Sequence, residues 1–205
     1  MPSQTTPDTP DTPDVRRSIL AVGQQIMAHK GFSGVGINEI LTTAGVPKGS
    51  FYHYFGSKEA FGEALLSSYF ETYLAEIDRT LARDDLNWAQ RLMAYFEAWK
   101  NTQSVLDCQG KCLAVKLGAE VADLSEAMRQ AMREGTQGIV TRLSAAIEAA
   151  QRERSVSSTG PASELAETLY QLWIGASILA KVERKPQPFD VALASTRRLL
   201  QTSDP

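Results

Sequence analysis

Residues 31–61 read "GFSGVGINEILTTAGVPKGSFYHYFGSKEAF", and the way this stretch folds sets the reading of the whole chain. Two short runs at helical spacing, "INEILTTA" and "KGSFYHYF", flank the tight turn "AGVPKG". Ala44 is small enough for close helix packing, Gly45 tolerates a positive φ, Val46 supplies an apolar plug, and Pro47 stands where proline can open a helix. Those are the parts of a helix-turn-helix. In its second helix Phe51 and Phe55 lie four apart and can anchor one face inward. The residues left to face outward are Lys48, Gly49, Ser50, Tyr52, His53 and Tyr54. Lys48, Tyr52 and His53 suit phosphate oxygens, and Gly49 lets a backbone come close. Lys58 opens the following helix and adds a cation beside unpaired backbone N–H groups. A purely structural aromatic helix would have little use for these flanking donors.

Outward from this stretch the charge changes sign. Residues 1–14 carry three Asp and no basic side chain, whereas residues 15–65 carry five basic residues against three acidic ones. The net charge of the 205 residues is −3 and the pI is about 5.5, so a uniformly basic nucleic-acid binder is excluded. A local basic island remains, and it coincides with the helix-turn-helix. No apolar run approaches the roughly 20 residues that span a bilayer. The N-terminus has no basic flank followed by an apolar core, and two cysteines are too few for a disulfide framework. The expected location is the reducing cytoplasm, with no membrane partner.

The repeated "TPDTPDTPD" has no apolar residue to bury, so residues 1–14 are expected to be a disordered acidic tail. Val15, Ile19, Val22 and Ile26 then fall on one helical face, with a glycine stop at Gly31. Ser57 is a good N-cap for a long helix through "KEAFGEALLSSYFETYLAEIDRTLA". Further helices fit "NWAQRLMAYFEAWKNTQ", a short run around "KCLAVKLGAEV", a long run from Leu124 and Ser125 to about Gln151, one opened by Pro161, and "PFDVALASTRRLLQT" after the breaker "KPQP". No strand alternation is sustained. The expected fold is all-α with about nine helices, a three-helix DNA-binding domain over 15–65 and a helical regulatory and dimerisation domain over 66–205.

Gly45, Val46, Lys48, Gly49, Tyr52, Phe55, Ser57, Lys58 and Glu59 match the run G-V-x-K-G-x-x-Y-x-x-F-x-S-K-E. In this the segment resembles the DNA-binding domain of the TetR family of transcriptional regulators. Gly36 departs from that pattern, standing where the family often has Thr or Ser as a helix cap; glycine there loses only a few tenths of a kcal/mol. The resemblance implies a homodimer on a palindromic double-stranded operator, with reading heads about 34 Å apart or somewhat more. It also implies a four-helix interface from the last two long helices, for which Leu165, Leu169, Leu172, Trp173 and Ala176 offer an apolar stripe and "GAS" at 175–177 a close approach.

The only cysteines, Cys108 and Cys112, lie in "DCQGKCLAVKLGAE". No metal is expected, since the two histidines, His29 and His53, belong to the N-terminal helices and two thiols alone do not make a zinc site. For the same reason no base is expected near Cys112, and the chain is read as no enzyme. No cofactor is called for. Cys112 is either a small packed hydrophobe or a reactive thiol; Gly110, Lys111 and Lys116 put a helix N-terminus and cations near it in sequence, which would lower its pKa. "CLAVKLGAEVADLSEAMRQAMREG" and "LYQLWIGASILAK" are similar to family members that sense electrophiles and oxidants such as quinones, reactive aldehydes and hypochlorous acid. That similarity implies Cys112 as sensor and Lys181 as its partner, with Cys108 a weaker accessory. Lys181 could equally complement the end of its own helix. The rival trigger is a reversible ligand among Tyr95, Phe96, Trp99 and Trp173.

Overall fold

The computed structural model describes residues 12–103 and 112–201. Among these the elements are nine helices and no strand: α1 Thr12–Lys30, α2 Ile37–Ala44, α3 Lys48–Phe55, α4 Lys58–Leu81, α5 Trp88–Gln103, α6 Leu113–Leu124, α7 Glu126–Glu153, α8 Ala162–Glu183 and α9 Gln187–Leu200. The turn between α2 and α3 forms as its residues require. Gly45 sits at φ 66° and ψ 29°, and its N–H and that of Val46 return to the carbonyls of Thr42 and Leu41 at 3.3 and 3.0 Å. This double closure is a Schellman motif, which an L side chain at Gly45 would strain. Phe51 and Phe55 turn inward onto Phe61 of α4, with ring centroids 5.3 and 5.0 Å away. Ser57 caps α4, its Oγ accepting the Ala60 N–H at 3.1 Å.

From there α4 runs out of the N-terminal head and lies along α7, its most extensive partner. Gly135 of α7 makes that approach possible, because a Cβ there would fall inside the Phe70 ring. Arg142 of α7 donates to both carboxylate oxygens of Asp78 on α4, at 2.6 and 2.9 Å. One continuous buried cluster reaches from Ile19 in α1 to Leu200 in α9. The helix bundle is knitted by indole hydrogen bonds as well: Trp99 donates to Ser177 at 3.0 Å and Trp173 to Thr196 at 2.9 Å.

Two expectations are corrected. Helix α1 opens at Thr12, three residues before Val15, because a proline in the first turn gives up only an N–H that the helix does not use; residues 1–11 lie outside the described residues. Helix α9 opens at Gln187, one residue before the expected start at Pro188, which sits in its first turn. The stripe expected to face a partner turns mostly inward: Leu169, Trp173 and Ala176 are buried within the subunit, and Leu165 and Leu172 stay half-buried. The large apolar residues left exposed on these two helices are Ile178, Leu179 and Val182 on α8 and Val191 and Leu199 on α9. A helix apolar on most of its circumference does not reveal which stripe its own chain will cover.

Candidate DNA-reading surface and thiol site

Helix α3 presents the donors as its spacing requires. Phe51 and Phe55 are buried, while Lys48, Gly49, Tyr52 and His53 are exposed and Ser50 and Tyr54 half-buried. Tyr52 keeps 48% of its surface open, which for an aromatic on a packed helix leaves a ring free for contact. Lys58, in the first turn of α4, carries its ammonium over the Phe32 ring at 4.7 Å from the centroid. This cation–π contact holds the charge near the end of the same surface.

Cys112 is the N-cap of α6, with φ −85° and ψ 99°, and its carbonyl accepts the Lys116 N–H at 3.2 Å. The helix-terminus expectation therefore holds, but the low pKa does not. Burial pushes the thiol above its ordinary value, outweighing the opposing N–H groups of Val115 and Ala114, the Tyr69 hydroxyl and the Lys181 charge. Desolvation of the thiolate wins because the side chain is only 8% exposed. Lys181, half-buried in the last turn of α8, thus acts on Cys112 in the expected direction without controlling its state. Cys108, with Gly110 and Lys111, lies outside the described residues.

Beside Cys112 opens a cavity of about 640 Å³, walled by α1, α4 and α5. Gln24, Gln25 and His29 line it from α1, Tyr69, Tyr73 and Glu76 from α4, and Trp99 from α5. Tyr69 and Tyr73 stack with centroids 5.9 Å apart, and the Tyr73 and Tyr95 hydroxyls meet at 3.3 Å. Burial raises the pKa of all three phenols, so they remain neutral donors around the sulfur. Of the aromatic set expected to hold a ligand, Trp99 lines this cavity, whereas Phe96 and Trp173 stack at 5.0 Å with no exposed surface. They are core.

His29 is a second correction. Sequence position set it apart from Cys112, yet it lines the same cavity, because α1 of the head packs onto α4 and α6. Glu120 was not singled out by sequence. It lies two turns along α6 from Cys112 and accepts the backbone N–H groups of Phe32 and Ser33 at 2.9 and 2.7 Å. No local pattern marks such a residue, since its partners are 88 and 87 positions away. Among the described residues no group of His, Cys, Asp and Glu could hold a metal ion, and no helix is long and apolar enough to cross a membrane.

A three-helix reading head joined through α4 to a helical bundle is the architecture of a DNA-binding regulator. The chain belongs to the TetR family: residues 19–65 match the model of bacterial regulatory proteins of the tetR family, and residues 89–196 match the tetracyclin repressor-like C-terminal domain. Members are transcriptional regulators that bind operator DNA as dimers and are not enzymes. The chain is 41% identical to the HTH-type transcriptional repressor NemR of Escherichia coli K12 over 187 residues, covering 91% of this chain and 94% of that one. It is 34% identical to the repressor DhaR of Mycobacterium sp. strain GP1, covering 86% and 87%. The crystal structure of E. coli NemR in its reduced form superposes with a TM-score of 0.88 at 41% identity, covering 94% of this chain and all of that one. A regulatory protein TetR from Rhodobacter sphaeroides superposes at 0.83 with 30% identity, covering 90% and 98%. The chain is a transcriptional repressor by this kinship.

Proposed function

We propose that the repressor binds a palindromic operator as a homodimer and releases it when Cys112 is modified by an electrophile or oxidant. Residues up to about 65 form the reading part, with Lys48, Gly49, Ser50, Tyr52, His53, Tyr54 and Lys58 meeting the DNA, and the remainder senses and dimerises. The observation that carries this reading is a buried thiol at the start of a helix, opening into a cavity walled partly by α1 of the head. A group added to Cys112 has to occupy that cavity or displace α6, and either event presses on the reading head. Operator affinity then falls because the modified conformer fits successive grooves less well. The raised pKa assigns a specific chemistry: the resting thiol is neutral, and reaction proceeds through the small thiolate fraction that Lys181 and Tyr69 favour.

The cavity also supports a second reading, a reversible ligand held among the tyrosines and the α1 amides without covalent chemistry. Mass spectrometry of the alkylated protein, paired with operator binding, separates them. Release that tracks the Cys112 adduct and disappears in Cys112→Ser supports the thiol. Release that persists in a chain lacking both cysteines supports the ligand.

A further inference from the structure

We propose that Glu120 is the positioning residue through which the sensor helix α6 sets the orientation of the reading head, an inference that rests on the thiol-release reading above. Helix α1 ends at Lys30, and Gly31 at φ 80° swings the chain so that two successive N–H groups, of Phe32 and Ser33, face the carboxylate. Those N–H groups follow the end of α1. A carboxylate accepting both is a charge-assisted pair, about twice as strong as a neutral one. Burial alone would raise the Glu120 pKa, but the bonds from Ser33 and Phe32 overcome it and hold the carboxyl below its ordinary range, with help from the Lys116 charge. The carboxylate is therefore ionised wherever the protein functions near neutrality.

Gly31 is fitted to this contact in two ways. Its φ favours glycine, and a Cβ there would lie 2.9 Å from the Glu120 Oε2. On the far side, the Phe32 ring packs against Gly62 of α4 and carries the Lys58 ammonium. One residue is thus gripped by α6 through its backbone and supports the first turn of α4 through its side chain. Cys112 caps α6 and Glu120 follows eight residues later, about 12 Å along the axis at 1.5 Å per residue. A short helix moves as a rod. Displacing its N-terminus by an adduct displaces the carboxylate, and the carboxylate takes the Phe32 turn with it. The route enters the head at the turn after α1 and reaches the start of α4 through the Phe32 ring.

The test is Glu120→Gln, which keeps shape but places an amide NH₂ where one of the two N–H groups needs an acceptor. Operator Kd is measured at fixed salt before and after full alkylation of Cys112 by N-ethylmaleimide, and amide exchange of Phe32 and Ser33 is followed by NMR on the unmodified protein. The expected result is an unmodified Kd within about threefold of wild type, amide protection lost at whichever of Phe32 and Ser33 faces the new NH₂, and an alkylation-induced weakening at least tenfold smaller than in wild type. Equal weakening in the variant and wild type overturns the proposal, because a merely structural residue would leave that ratio unchanged. The exchange arm needs no thiol chemistry. If wild type itself holds the operator after full alkylation, the thiol reading fails, and unchanged protection in Glu120→Gln would then overturn the clamp independently while lost protection would support it.

Discussion

Cys112 shows how one side chain's environment decides its chemistry. The sequence puts cations and a helix terminus nearby, both of which favour thiolate. Burial opposes them and wins. The linkage sign follows: with a pKa above the ordinary thiol value, the reactive fraction is small at pH 7 and grows as pH rises toward that pKa. Alkylation of Cys112, followed by mass spectrometry in a Cys108→Ser background, should accelerate by nearly tenfold per pH unit between pH 7 and 8.5. Lys181→Met and Tyr69→Phe should each slow it at a given pH, by withdrawing a charge and a donor that favour thiolate. A rate already flat at pH 7 would mean a thiol with a depressed pKa. On the other surface, Lys48→Ala should weaken operator binding alike for related sequences and reduce the magnitude of the salt slope by about 1, as loss of a phosphate contact does.

At the scale of elements, caps and close approaches bear directly on stability. Ser57→Ala removes the acceptor for the Ala60 N–H and should cost about 1 kcal/mol in urea denaturation. Gly135→Ala drives a methyl into the Phe70 ring and should cost about 1–3 kcal/mol by overpacking between α4 and α7. Most of this level was legible in the sequence. Gly45 and Val46 announce the turn, Ser57 and Ser125 announce the caps, and the four-residue spacing of Phe51 and Phe55 gives the inward face of α3. The site was legible only where its residues are local. Lys48, Tyr52 and His53 follow from the period of α3, whereas Tyr69 of α4 and His29 of α1 come to the thiol from distant segments, and Glu120 finds its partners Phe32 and Ser33 only because the head docks on α6. The α8 stripe failed for a related reason: apolar periodicity reports that a face is buried, without saying whether its own subunit buries it.

The whole molecule is built so that the reading head is not an independent unit. Helix α4 belongs to both parts, the cavity beside Cys112 has a wall from α1, and Glu120 ties α6 to the turn after α1. In the proposed homodimer a partner subunit adds the second head. Leu179 is 51% exposed and Val182 is 74% exposed on α8, and Val191 of α9 lines one groove with Leu179; nothing among the described residues buries them. A double substitution, Leu179→Asp with Val182→Asp, should sediment as a monomer with its helical content intact. Its operator affinity should fall by tenfold or more, since two half-sites are then no longer bound as one event. A dimer that survives this change would place the interface elsewhere.

The most direct measurement is operator binding by fluorescence anisotropy at fixed salt, using DNA from beside the gene, for wild type, Cys108→Ser and Cys112→Ser with and without N-ethylmaleimide. The expected result is that wild type and Cys108→Ser lose the operator on alkylation while Cys112→Ser stays bound. Equal release by Cys112→Ser would contradict it.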